Sequence, residues 1–244
     1  MLDFYSLYFA LLSLVILQSI VGVGILVIGT PFLLILNFEM IEILSILLPV
    51  SIVTSLLNLI IFKIKKKGKK FKIERKRKIL FYILCIPSIF LGLLILKNYK
   101  DILNFKIFVA FVIFFSFLMT KIKFYYWKRQ ILIESFFLFL IGIVHGLTNS
   151  GGSILSLFFS NEQNKERSRY TITYFYLFIA TVQYLIFLTI FKSLNFILNI
   201  NVLIVIIFIG CLIANFLNNY LNYNMFKIVV VALSLLAATF LVMI

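Results

Sequence analysis

Two polar stretches interrupt an otherwise apolar chain, and both are built from residues that bind without charge. The first, "QSIVGVGILVIGTP", runs from Gln18 to Pro31, and the second, "HGLTNSGGSIL", from His145 to Leu155. Laid over each other they share a pattern: Gln18 followed by Gly22 and Gly24, against His145 followed by Asn149 and Gly151. Glycine costs about 1 kcal/mol in a helix interior, and proline removes a donor and collides with the preceding turn. Both stretches therefore predict helices that stop, at the glycines and at Pro31. Such a break suits an anion. A half-helix starting after Gly152 presents unpaired N–H groups and the positive end of its dipole, and Thr148, Asn149, Ser150 and the Gly151 backbone stand beside it. No Lys or Arg is expected at that depth, so an anion would be held by backbone and amide groups. His145, the sole histidine, could relay a proton, bond the substrate, or tie two helices together as a neutral imidazole. Asn58 and Gln183 lie late in the apolar runs after each stretch, where they could face the breaks or bond between helices.

The elements that must position these residues are membrane helices. The chain has 244 residues, is 64% hydrophobic and 13% charged, and has a mean hydropathy of +1.16, too high for a water-facing surface. A crossing needs about 20 apolar residues, so the length allows about eight membrane segments and no soluble domain. The class is an all-α polytopic membrane protein, multi-pass in the cell (inner or plasma) membrane. The N-terminus reads as a retained segment, since no basic residue precedes its apolar run. Cys85 and Cys211 fall in apolar runs, where they read as packing residues and not as a disulfide or metal pair. No metal site and no cofactor is expected.

Net charge of +15 and the run "KIKKKGKKFKIERKRK" from Lys63 to Lys78 would suggest nucleic acid in a soluble protein. Here no recognition motif or interleaved aromatic residues accompany the charge. It reads as a cytoplasmic loop beside an anionic leaflet. The lipid bilayer is thus an expected partner and nucleic acid is not. The sequence leaves room for a homo-oligomer.

Apolar runs fall at Phe4 to Leu36, Ile41 to Phe62, Ile79 to Leu96 and Leu103 to Thr120, then at Ile131 to Ser160, Tyr170 to Phe191, Ile200 to Leu217 and Met225 to Ile244. Each set opens with one overlong run and continues with three of spanning length. Placing Lys63 to Lys78 inside puts "KNYKD" outside and the basic "KIKFYYWKR" inside. The run Ile131 to Ser160 then starts inside, and "NEQNKERSRY" after it is again basic. A run that enters and leaves by one face is a hairpin broken near mid-membrane. By the same reasoning Phe4 to Leu36 is a hairpin open to the outside. An odd number of crossings per half inverts the second half, predicting two inverted repeats: residues 1–120, a basic linker at 121–129, and residues 130–244. All basic residues then lie inside except Lys97, Lys100, Lys106 and Lys192. Eight plain crossings, the alternative, would put "NEQNKERSRY" outside or disrupt an earlier loop.

Glu39, Glu42 and Glu134 sit near membrane ends as interfacial carboxylates, with proton coupling open for Glu42. Asn215 reads as a helix–helix bond, and Tyr125, Tyr126 and Trp127 as interface anchors.

In these motifs the chain resembles the sulfite exporter TauE/SafE family of membrane transporters. Gln18, Gly22, Gly24 and Pro31 match its first hairpin signature. Gly142, His145, Gly146, Gly151 and Gly152 match its second. The sequence departs in carrying Ile25 and Leu26 where many relatives have small residues, and in lacking a proline after the second glycine pair. The resemblance implies export or uptake of a small anion such as sulfite, a sulfonate or thiosulfate, and no enzymatic activity. A P-loop motif is absent from the sequence, which argues against direct ATP use. The alternatives are a membrane-embedded scaffold docking through the basic loop, or an enzyme using His145 with Thr148 or Ser150. A lone histidine without HExxH spacing or a carboxylate at depth builds neither a metal site nor a triad.

Overall fold

The computed structural model of the protein describes residues 4–22, 25–65, 73–121, 131–160, 165–192 and 199–217, together with 228, 232, 235–236 and 238–243. Among the described residues every regular element is an α-helix. The two overlong runs are each divided in two. The first gives α1 (Phe4–Val21) and α2 (Ile25–Ile35), and the second gives α6 (Ile131–Thr148) and α7 (Gly151–Ser160). The intervening helices are α3 (Met40–Lys65), α4 (Arg75–Tyr99) and α5 (Phe105–Lys121), and after the second hairpin come α8 (Lys165–Phe191) and α9 (Ile200–Leu217). Four of these, α3, α4, α8 and α9, are long and apolar enough to cross a membrane, while α1, α5 and α6 are apolar but shorter. The last apolar run is described at scattered positions only, each of them helical. Tyr125, Tyr126 and Trp127 lie outside the described residues.

Contacts at the helix ends sort them into two groups. At one end Arg77 Nε lies 3.5 Å from Glu134 Oε1, Lys78 Nζ 4.7 Å from the Tyr174 ring, and Ser168 donates to the Phe159 carbonyl at 2.9 Å. These join the starts of α4, α6 and α8 to the end of α7. At the other end Lys106 donates to Asn37 Oδ1 at 3.0 Å, and the Asn199 N–H donates to the Tyr8 hydroxyl, also at 3.0 Å. These join the end of α2 to the start of α5, and the start of α1 to the start of α9. The α4 helix has 25 residues, about 37 Å at 1.5 Å per residue, and separates the two groups. The α1–α2 hairpin thus has both ends at one side of the bundle, and the α6–α7 hairpin both ends at the other.

Packing between the halves is exchanged. The first arm of each hairpin lies against the fourth helix of the opposite half, α6 on α4 and α1 on α9, while each short arm packs on the next helix of its own half, α2 on α3 and α7 on α8. At the centre α3 meets α8 and the short arms α2 and α7 touch. Small residues make the first exchange possible. A Cβ on Gly146 would overlap the Ile89 carbonyl and come within 3.1 Å of Gly92 Cα, and one on Gly92 would come within 2.9 Å of the Leu147 nitrogen. The α1–α9 contact is looser: Gly210 faces the Val15 and Leu12 side chains, and Ser19 Oγ lies 3.4 Å from Cys211 Sγ. Both cysteines are free and buried.

One expectation is corrected. Pro31 does not end a helix but lies inside α2, as Pro49 lies inside α3 and Pro87 inside α4. Inside a membrane bundle, neighbouring helices can hold a carbonyl that a proline leaves without its donor. Glu42 has a structural task at the start of α3. Its Oε2 accepts the Glu39 N–H at 2.9 Å, which closes the start of α3 in the manner of a capping box.

Candidate functional site

The two breaks use one backbone device. At the first, Gly22 has φ +92° and its N–H donates to the Gln18 carbonyl at 2.7 Å; at the second, Asn149 has φ +65° and its N–H donates to the His145 carbonyl at 2.8 Å. A left-handed residue bonded back to the last turn is a standard helix stop. Asparagine enters that region at lower cost than most side chains. Glycine is required at the first break for a second reason: a Cβ there would lie 3.0 Å from Thr173 Oγ1 and 3.3 Å from the Arg169 carbonyl. Gly24 lies outside the described residues.

Helix α3 supplies the partners of the first break. The Gln18 amide donates to the Ser51 carbonyl at 3.0 Å and to Ser55 Oγ at 2.9 Å, and Asn58 donates to Ser19 Oγ at 3.1 Å. Helix α8 supplies those of the second. The Gln183 amide donates to the His145 carbonyl at 2.8 Å, with the Gly146 carbonyl at 3.5 Å. The Tyr176 ring stands edge-on to His145 with centroids 6.0 Å apart. When Asn58 is laid on Gln183, Ser51 falls on Tyr176, so the same positions of α3 and α8 face the two breaks.

The polar side chains at the second break divide by what they bond. Thr148 donates to the Val144 carbonyl at 3.0 Å, Ser150 to the Thr148 carbonyl at 3.3 Å, and Ser153 to the Ser150 carbonyl at 2.8 Å. These hydroxyls are engaged by the turn itself. Both amide atoms of Asn149 and both ring nitrogens of His145 are buried without a hydrogen-bond partner, as are Gln18 Oε1, Gln183 Oε1, Thr30 Oγ1 and Ser51 Oγ. A buried polar atom left without a partner costs about 1–3 kcal/mol, so the grouping marks where a polar guest would be stabilised. Helix α7 starts at Gly151, so Gly151 and Gly152 form its first turn instead of preceding it. Gly151 also allows α7 to lie on α6, since a Cβ there would come within 2.7 Å of the His145 Cβ.

The sequence-predicted residues therefore fall into two clusters. Gln18, Gly22 and Asn58 share one with Ser19, Ser51 and Ser55; His145, Thr148, Asn149, Ser150, Gly151, Gly152 and Gln183 share the other. Pro31 is buried in α2 and belongs to neither set of bonds. Helix α2 touches α7 and α3 touches α8, so the helices that carry the two clusters are in contact. Ser51 and Ser55 stand one helical turn apart on the face of α3 that carries Asn58, a spacing visible in the sequence. Arg169, which the sequence places among loop charges, lies against the first break. Its Nη2 donates to the Ser19 carbonyl and its Cζ lies 4.8 Å from the Phe62 ring centre. The reason is local: α8 begins at Lys165, five residues before the apolar run does, so Arg169 rides on the helix instead of a loop. Among the described residues no cluster of His, Cys, Asp and Glu could hold a metal ion.

Two broken hairpins set among helices long and apolar enough to cross a membrane make this an all-helical polytopic membrane protein. The chain matches the family model of the sulfite exporter TauE/SafE family over residues 7–241 and belongs to that family. Searches of curated proteins and of solved structures return no significant match.

Proposed function

We propose that the chain is a secondary transporter, an exporter or permease, for a small anion: sulfite, a sulfonate, thiosulfate or a related organic anion. One observation carries the reading. Two hairpins with their open ends at opposite sides of the bundle each break at a polar turn, and the second break keeps the Asn149 amide and the His145 ring unengaged beside the first turn of α7. Inverted-repeat transporters bind at such breaks, with half-helix N-termini toward the anion. The Asn149 amide and the Gly151 and Gly152 N–H groups hold the anion, His145 and Gln183 line it, and Gln18 and Asn58 brace the opposite hairpin. Access alternates as one hairpin and then the other parts from its short-arm contacts. Loop charge supports putting the Arg77 end in the cytoplasm and the protein in the plasma membrane. No catalytic step is assigned.

The test is flux. Proteoliposomes loaded with labelled sulfite, sulfoacetate or thiosulfate, under a pH gradient of either sign, should release at least one of them faster than empty vesicles. Absence of flux for every small anion tried would end the reading.

A further inference from the structure

We infer that Arg169 is an anion-selecting gate between the Arg77 end of the bundle and the paired breaks. The inference rests on the transport reading above and adds a residue that reading does not use. Arg169 sits in the second turn of α8, where three elements converge. Its guanidinium bonds the Ser19 carbonyl near the end of α1, lies over Phe62 near the end of α3, and its own stem faces Gly22, with Cγ 3.5 Å from where a Cβ would be. Phe62 in turn meets Tyr170 edge-on, with centroids 6.1 Å apart. Arg169 thus occupies the approach to the first break from that end.

Charge decides what passes. The C-terminal end of a helix carries about half an elementary negative charge from its unpaired carbonyls, so the end of α1 by itself would repel an anion. A full guanidinium charge more than cancels it and leaves the approach positive by about half a charge. At the second break the corresponding carbonyls, those of His145 and Gly146, are covered by the neutral amide of Gln183. The two approaches therefore differ in charge: a guanidinium stands at the first and only neutral amides at the second. An anion arriving from the Arg77 end can take the guanidinium from the Ser19 carbonyl, because a charged acceptor outcompetes a neutral one for the same donors. Departure restores the Arg169–Ser19 bond and closes the approach behind it.

Thiol labelling tests this without requiring transport. Thr173 lies buried beside Gly22 and donates to the Arg169 carbonyl at 2.8 Å, so Thr173→Cys places a reporter just past the guanidinium that reacts only when the approach opens. Wild type, whose Cys85 and Cys211 are buried, sets the background. In oriented vesicles, a sulfonate-bearing methanethiosulfonate applied from the Arg77 end should react about tenfold faster than a trimethylammonium one. Arg169→Gln should abolish that preference, and Arg169→Met, which keeps the stem packed on Phe62, is a second neutral variant should the first not fold. Arg169→Lys should retain part of it, having the charge but not the planar fork. Equal rates with Arg169 present, a preference unchanged in the neutral variants, or no labelling from that end overturns the gate. A charge preference lost with Arg169, in a protein that moves none of the anions tried, would remove the transport reading and leave the gate standing.

Discussion

At Gly22 the chain turns on a residue walled in by α8, and Gln18 and Ser19 before it hold partners on α3, Asn58 among them. At Asn149 the chain turns through the same region of backbone space, yet the turning residue carries an amide with no partner and stands next to an imidazole with none. One break is braced and charged by Arg169; the other is neutral and open in its bonding. A common backbone device therefore serves two breaks, to which the proposed function gives two tasks, mechanical seating at the first hairpin and polar contact at the second. The difference comes from side chains alone.

The all-or-none test of this comparison is sidedness. Cysteines at Asn37 and Ser160, which end the two hairpins, should label with impermeant maleimide from opposite faces, and labelling of both from one face would remove the opposed-hairpin arrangement. Next in size is the contrast between the exchanged interfaces. In Gly146→Leu the side chain must displace the backbone of α4, at a cost above the roughly 1–3 kcal/mol of ordinary overpacking, and no monodisperse protein should elute in detergent. In Gly210→Ala the Val15 and Leu12 side chains can yield, and folded protein should persist.

A smaller effect separates backbone from side chain at the second break. Asn149→Gly keeps the positive φ at no steric cost and removes the amide. A hydrogen bond to a charged group contributes about 1.5–3 kcal/mol, so KM for the anion should rise roughly ten- to hundredfold while thermal stability stays near wild type. A large fall in stability with unchanged KM would make Asn149 a structural residue like Gly22. The smallest effect belongs to the first break. Gln18→Leu loses two interhelical bonds, each near 0.6 kcal/mol in membrane proteins, so the thermal midpoint should drop by a few degrees with KM little changed. A tenfold KM change there would erase the distinction between the hairpins.

Much of the arrangement was legible because membranes write topology in simple terms. The basic stretches at 63–78 and 165–169 and the two overlong runs were enough to predict hairpins with opposed open ends, and the spacing Gln18 to Gly22 against His145 to Asn149 aligned the turning residues. Local rules misled where tertiary packing overrides them. Pro31 reads as a terminator only if no neighbour covers the carbonyl it leaves, and that neighbour is distant in sequence. Arg169 reads as loop charge because its partners, Ser19 and Phe62, lie more than a hundred residues away. The Gly146–Gly92 approach looks from sequence like two unrelated small residues. That Thr148 and Ser150 donate their hydroxyls to carbonyls of the turn is likewise not visible in the sequence.

The exchange of arms between halves also sets a clock on biogenesis. Helix α1 ends at Val21 and the helix it packs against, α9, begins at Ile200. At a synthesis rate of about 5–20 residues per second, α1 waits about 10–40 s in the insertion machinery or the lipid before that surface is covered. Gln18 can find α3 within the first few seconds of that interval, whereas the Gly210 contact and the Arg169 bond must come late. The first hairpin thus waits on a helix near the far end of the chain, whereas the second finds α4 already present when α6 emerges and needs only α8, the next helix made.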